Sequence, residues 1–263
     1  MSRFTIGLAA AVLLAAAYGG PVSAGTPLDP TMPPRLTGWI PPTQGVLGCE
    51  RYMNKRTALY PLRCVMNCSI STAAAIAKGH PYNLDECENT AFKSCKMQYD
   101  RAMGKLDTRD CPVCLDEAAE QQALYATFRD ATKSFNQLIY CETADCTPFA
   151  DGSGCVSDVR DKAMCENKVA ANVAKLFKCL ELKCHQKTVE ALFWGKQTPP
   201  GNVFECEDGD PVSSCKARFI RDTENLVGCP SCLLDGATHT AEAVFNAVQS
   251  ALDSQNGEIY CGQ

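Results

Sequence analysis

Residues 205–232 read ECEDGDPVSSCKARFIRDTENLVGCPSC, and residues 86–114 read ECENTAFKSCKMQYDRAMGKLDTRDCPVC. The second stretch repeats the first. Glu86-Cys87-Glu88 returns as Glu205-Cys206-Glu207, Ser94-Cys95-Lys96 as Ser214-Cys215-Lys216, and Cys111-Pro112-Val113-Cys114 as Cys229-Pro230-Ser231-Cys232. Working outward, Ile139-Tyr140-Cys141 reappears as Ile259-Tyr260-Cys261. Upstream, Cys68, Thr72 and Gly79 line up with Cys184, Thr188 and Gly195. Cys64 matches Cys179 with one extra residue, and Cys49-Glu50 matches Cys165-Glu166 with a short gap. Each repeat thus owns eight cysteines in one order, and Cys146 and Cys155 fall in the connector between them.

Residues 1–24 have the pattern of a secretory signal: Arg3, an apolar run from Phe4 to Tyr18, and Val22-Ser23-Ala24 as a small-residue cleavage site. No later segment has the ~20 apolar residues of a membrane span. Export explains the cysteines, eighteen in number and all beyond the signal. An even count in an oxidising compartment, secreted or periplasmic, implies disulfides. With 25 Lys and Arg against 30 Asp and Glu and no basic run, nucleic acid is not the expected partner. Residues 25–48 carry six prolines and little apolar periodicity, which reads as an arm. Its Trp39 is expected to dock on the first repeat.

Both repeats show helical periodicity. Leu124, Phe128, Ala131, Phe135 and Leu138 recur at intervals of three and four, which places them on one helix face, and Val244, Val248 and Ala251 take matching places. Three helices per repeat follow: A over 50–78 or 162–194, B over 86–107 or 211–227, and C over 113–139 or 232–255. Asp85 and Asp210 are the expected caps of the B helices. Pro61 should kink or break the first A helix. The predicted fold is all-α: two tandem disulfide-stapled three-helix repeats (49–141 and 162–263), a connector (142–161) and the Pro-rich arm, with strands nearly absent.

In an antiparallel hairpin, residues equidistant from the turn face each other, because both helices rise ~1.5 Å per residue. Counting then predicts Cys68 with Cys95 and Cys184 with Cys215. It places Cys49 with Cys111 or Cys114, and Cys165 with Cys229 or Cys232. It also predicts Cys87 with Cys141 and Cys206 with Cys261. Cys64 and Cys179 go to whichever member of each Cys-Pro-x-Cys pair is left, and Cys146 pairs with Cys155. Several bridges between the repeats would overturn this map.

Other chemistries compete for the same thiols. The two Cys-Pro-x-Cys pairs share the spacing of the glutaredoxin active site, where a low-pKa thiol attacks disulfides, but the strands of that fold are missing. Cys179, Cys184 and His185 resemble a long variant of the c-type haem attachment motif. The first repeat keeps Cys64 and Cys68 but has Ser69 at the place of the histidine, which favours bridges. Paired Cys-x-x-Cys also suits zinc, though export disfavours free thiolates. His80, His185 and His239 do not recur between repeats and read as surface or helix-face residues. No nucleophile-base constellation or isolated carboxylate pair is visible, so no catalytic, cofactor or metal residue is assigned.

The run Lys178-Cys179 to Cys184-His185-x-Lys187, followed by Cys206, Cys215-x-x-x-Phe219 and Gly228-Cys229, resembles cysteine-rich helical repeats in exported proteins of delta-type proteobacteria. The resemblance implies a disulfide-stapled extracellular or periplasmic repeat protein and brings no assigned activity. A second resemblance, carried by Cys111, Cys114, Cys141, Cys155, Cys179 and Cys184, is to the six-cysteine spacing of saposins, which are helical lipid binders. It implies that Cys111 and Cys114 pair with Cys179 and Cys184, across the repeat boundary. The expected function is a structural or binding scaffold with a protein or lipid partner, against a saposin-like lipid module and, third, a monohaem electron carrier.

Overall fold

The computed structural model describes residues 26–27, 37–106, 108–196, 203–234 and 240–262; the expected signal, most of the arm and His239 lie outside them. Helix makes up 68% of the structure and strand 4%, so the chain is all-α. The elements run in the same order in both halves. In the first, α1 (Gln44–Thr57) continues through a π-helical segment (Ala58–Cys64) into α2 (Val65–Ile76). A short π turn (Glu86–Thr90), α3 (Cys95–Met103), α4 (Val113–Asp116) and α5 (Ala118–Ile139) follow. In the second, α6 (Arg160–Lys178), a π segment (Cys179–His185) and α7 (Gln186–Phe193) form the long helix. After it come a π turn (Glu205–Gly209), α8 (Cys215–Glu224) and α9 (Ala241–Ile259).

Local chemistry sets these boundaries. Ser94 and Ser214 cap α3 and α8, their hydroxyls accepting the N–H groups of Met97 at 3.2 Å and Ala217 at 3.1 Å. The B helices therefore begin later than predicted. Asp85 makes no cap bond, and Asp210 accepts the N–H groups of Val212 and Ser213 in the preceding turn instead. Both long helices end alike. Gly79 and Gly195 adopt left-handed backbone (φ 66° and 61°), and the following N–H reaches back five residues, from His80 to Ala75 and from Lys196 to Ala191. A side chain there would be strained, which is why glycine recurs at this place.

Pro61 does not break its helix. It lies inside the π segment, where a widened turn accommodates the missing N–H. The second π segment has no proline and another cause. Cys64 and Cys68 are four apart and share a face of an α-helix; Cys179 and Cys184 are five apart and would not. A turn closed by i→i+5 bonds brings them back to one face. The extra residue is absorbed where it was inserted.

The connector holds a motif not expected from the sequence. Cys146–Pro148 and Cys155–Ser157 form a small antiparallel hairpin closed by the Cys146–Cys155 bridge. Phe149 in its loop is buried with its ring 4.9 Å from that of Tyr140. A second two-residue pairing joins Thr26–Pro27 to Trp39–Ile40. The end of the arm docks on the second half, not the first: Trp39 donates its N–H to the Tyr260 carbonyl at 2.8 Å, and the Thr37 hydroxyl lies 3.0 Å from the Asp253 carbonyl.

The halves do not stand as separate bundles. One continuous core takes Met53, Leu62, Tyr99, Phe128 and Phe135 from the first half and Val169, Phe177, Phe219, Phe245 and Leu252 from the second. Phe135 and Phe177 meet across it at 5.8 Å. Nine bridges hold the rest, and they bear out three of the counted pairings, Cys146–Cys155 among them, and correct the others. Cys49 pairs with Cys111 and Cys165 with Cys229. Cys95 pairs with Cys64, not Cys68, which takes Cys87. Likewise Cys215 pairs with Cys179, while Cys184 takes Cys206. The facing predicted by counting exists, since the Cys68 and Cys95 sulfurs lie 3.6 Å apart and those of Cys184 and Cys215 3.4 Å, but the bonds run to the neighbours on either side. The last two bridges cross between halves: Cys114 to Cys261 and Cys141 to Cys232. They replace the expected Cys87–Cys141 and Cys206–Cys261.

These crossings are reciprocal. In each, the second cysteine of one Cys-Pro-x-Cys pair takes the last cysteine of the other half. Such i-to-j and j-to-i contacts are the mark of a two-fold interface. Tyr140 and Tyr260 repeat the exchange, one donating its hydroxyl to Asn167 at the start of the second half, the other lying 3.2 Å from Asn54 in the first.

Candidate functional site

Each π turn carries a glutamate directly after its bridged cysteine, Glu88 after Cys87 and Glu207 after Cys206. Both are buried. A buried carboxylate needs a cation or a proton. The two halves supply it differently.

In the first half, α5 places Lys133 with its Nζ 3.0 Å from Glu88 and 2.7 Å from Asp151. Burial pulls the ammonium down, but Asp151 and Glu88 outweigh it and hold Lys133 above its ordinary value. The trio borders a surface cleft of about 640 Å³ lined by Tyr82, Leu84 and Asn89 among others.

In the second half, counting back from Tyr260 as from Tyr140, α9 has Asp253 at the place of Lys133 and Gln249 at the place of Arg129. The compensating charge is inverted. His185, on the turn where the first half has Ser69, fills the space between: its Nε2 lies 2.6 Å from Glu207 Oε1 and 3.0 Å from Asp253 Oδ1. Glu181 stands 3.6 Å from the other ring nitrogen, Nδ1. The side chains of His185, Glu181 and Glu207 are wholly buried, and that of Asp253 is 10% exposed. Gln249 donates to the second Glu207 oxygen at 2.8 Å. Neither Glu181 oxygen, nor Glu207 Oε1, receives a well-directed hydrogen bond. Burial disfavours the imidazolium, yet Glu181, Glu207 and Asp253 together hold His185 well above its ordinary value, and burial raises Glu207 against the attraction of His185. The arrangement is a closed, anionic nest with one imidazole at its centre.

No family model, curated protein or solved structure matches the chain. Its chemistry has to be read from the residues themselves.

The cysteines singled out in the sequence go elsewhere. Cys111 and Cys114 belong to different bridges, as do Cys229 and Cys232, so neither Cys-Pro-x-Cys pair offers an attacking thiol and a resolving partner. Cys179 and Cys184 are bridged to Cys215 and Cys206, which leaves no thiol for a haem thioether, and carboxylates enclose the His185 ring. The sulfur triplets Cys64, Cys68, Cys95 and Cys179, Cys184, Cys215 come close together as stacked bridges rather than as thiolates. Saposin-type pairing is overturned as well, because Cys111 and Cys114 go to Cys49 and Cys261. Among the described residues no helix is long and apolar enough to cross a membrane.

The histidine–carboxylate nest is not among the sequence expectations, which place His185 on a surface or helix face and set no carboxylate pair apart. A signal was present: where two repeats agree around a buried glutamate, Lys133 in one and Asp253 in the other is a reversal that a surface position would not reveal.

Proposed function

We propose that the chain is an exported, disulfide-stapled, two-repeat helical scaffold with a structural or binding role in an oxidising compartment outside the cytoplasm. The observation that carries this reading is the bridge pattern. All eighteen cysteines are consumed in nine bridges, and the second cysteine of each Cys-Pro-x-Cys pair ties one half to the other. Cysteine spent wholly on cross-links supports stability in a hostile medium rather than thiol chemistry. Matched bridges in the two halves, Cys49–Cys111 with Cys165–Cys229, Cys64–Cys95 with Cys179–Cys215 and Cys68–Cys87 with Cys184–Cys206, support the two-repeat organisation. The resemblance to exported cysteine-rich helical repeats agrees with it.

The test is the intact mass of the secreted protein, alkylated in denaturant without reduction. No added alkyl group and a loss of one hydrogen per cysteine are expected. Alkylation of any pair, or a covalent haem mass, defeats the reading. Peptide mapping then checks Cys114–Cys261 and Cys141–Cys232. Tight binding to anionic liposomes at neutral or acidic pH would replace the scaffold role with a lipid-binding one.

A further inference from the structure

We propose that the second half holds a structural divalent cation, with His185 Nε2, Glu207 Oε1 and Asp253 Oδ1 as ligands and Glu181 behind the imidazole as the carboxylate that orients it. These three ligand atoms lie within 4.8 Å of one another and are buried. One imidazole nitrogen carries at most one hydrogen, yet two carboxylate oxygens converge on Nε2 at 2.6 and 3.0 Å. One hydrogen can serve both only as a divided, weaker bond. Glu207 Oε1 accordingly receives no well-directed bond, and both oxygens of the wholly buried Glu181 are left without one. A cation seated between Nε2 and the two oxygens satisfies all three, with the ring's remaining N–H turned toward Glu181, the usual outer partner of a ligating histidine.

Charge leads to the same place. Three carboxylates and an imidazolium leave a net double negative charge in the core. The first half shows what this environment demands, because there the corresponding glutamate is met by Lys133. Exchanging that lysine for Asp253 removes one positive charge and adds one negative; a divalent ion that displaces the Nε2 proton leaves one net negative charge among three carboxylates and a neutral imidazole, the same as Glu88, Asp151 and Lys133 leave in the first half. One imidazole with carboxylate oxygens is a donor set for first-row divalent ions such as Zn²⁺ or Mn²⁺, rather than for Ca²⁺, which prefers oxygen alone. The nest is closed, so the ion enters as the chain folds and contributes to stability.

The probe is zinc. The oxidised protein is unfolded in guanidinium without reductant, refolded by dialysis with ZnCl₂ or CaCl₂, desalted, and its metal content and thermal midpoint are measured. One zinc per chain and a raised midpoint are expected, with no calcium retained. The control is Asp253→Lys, which installs the first half's own solution. It is expected to fold with nine bridges, to bind zinc at least 100-fold more weakly, and to show no zinc-dependent shift. Should that variant not fold, His185→Gln serves, with the same loss expected. Wild type without zinc would mean that protons balance the nest and overturns the proposal. Equal zinc in wild type and the folded variant, or retention of calcium in preference to zinc, overturns it also.

Discussion

Glu50 and Glu166, each directly after a bridged cysteine, are carboxylates removed from water. Glu50 accepts the N–H of Gly262 at 3.0 Å and Glu166 that of Ser157 at 3.2 Å. Burial outweighs these bonds and pushes the pKa of Glu50 up to about 8 and that of Glu166 to about 7, from 4.5. The folded state therefore keeps protons that the unfolded chain releases. The stability this gives is fully present below pH 4.5 and is lost as pH rises through about 7 for Glu166 and about 8 for Glu50. Glu50→Gln, which retains an acceptor for Gly262, should flatten its share of the decline, a difference on the order of 1 to 4 kcal/mol between pH 5 and pH 8. Guanidinium unfolding of both proteins across that range checks it; an unchanged slope would show that Glu50 ionises freely in the fold. Recurrence after Cys49 and Cys165 marks these two glutamates in the sequence but does not separate buried ones from those on solvated faces. Burial decides it, and for Glu50 burial depends on the segment around Gly262 arriving from the opposite half, for Glu166 on the connector at Ser157.

At the scale of elements, what the sequence discloses is periodic and what it hides is local. The apolar spacing of Leu124, Phe128 and Phe135 and of Val244 and Val248 is enough to place α5 and α9. The B helices start late because the serine next to the cysteine caps in place, whereas Asp210 lies four residues and Asp85 nine residues earlier and neither caps the helix. The π segment at Cys179–His185 is legible only as a one-residue difference between repeats. Deleting Lys183 should convert it to an α-turn with the Cys-x-x-x-Cys spacing of the first half and leave nine bridges by mass. Deleting Ala171 from α6 rotates all that follows by about 100°, so alkylatable thiols should appear. If both deletions behave alike, the widened turn is not what sets the register. The caps give a smaller effect: Ser94→Ala and Ser214→Ala should each cost about 1 kcal/mol in thermal or guanidinium unfolding.

At the scale of the whole molecule, counting residues from turns found which cysteines face one another inside a half but could not find the exchange between halves. A hairpin argument has no way to represent a partner that lies 147 residues away. The candidate nest was hidden for a related reason, since His185, Glu207 and Asp253 meet only when three elements close together. In the chain-entropy model, with Cys141–Cys232 still shortening the loop, removing Cys114–Cys261 as a serine pair should cost about 4 kcal/mol and removing Cys146–Cys155 about 3. The order of the two guanidinium midpoints tests this. With both crossing bridges removed, unfolding should remain one cooperative transition, because Phe135 and Phe177 belong to a shared core; two separate transitions would restore the picture of independent bundles. The crossing also imposes a timetable. On the proposed export route, amino terminus first, Cys111 and Cys114 emerge long before Cys261, so Cys114 must wait as a thiol or accept a provisional partner, and Cys141 must wait for Cys232. Maturation by that route is expected to depend on an isomerase that can undo early pairings, because the first half is complete only once Cys232 and Cys261 have arrived.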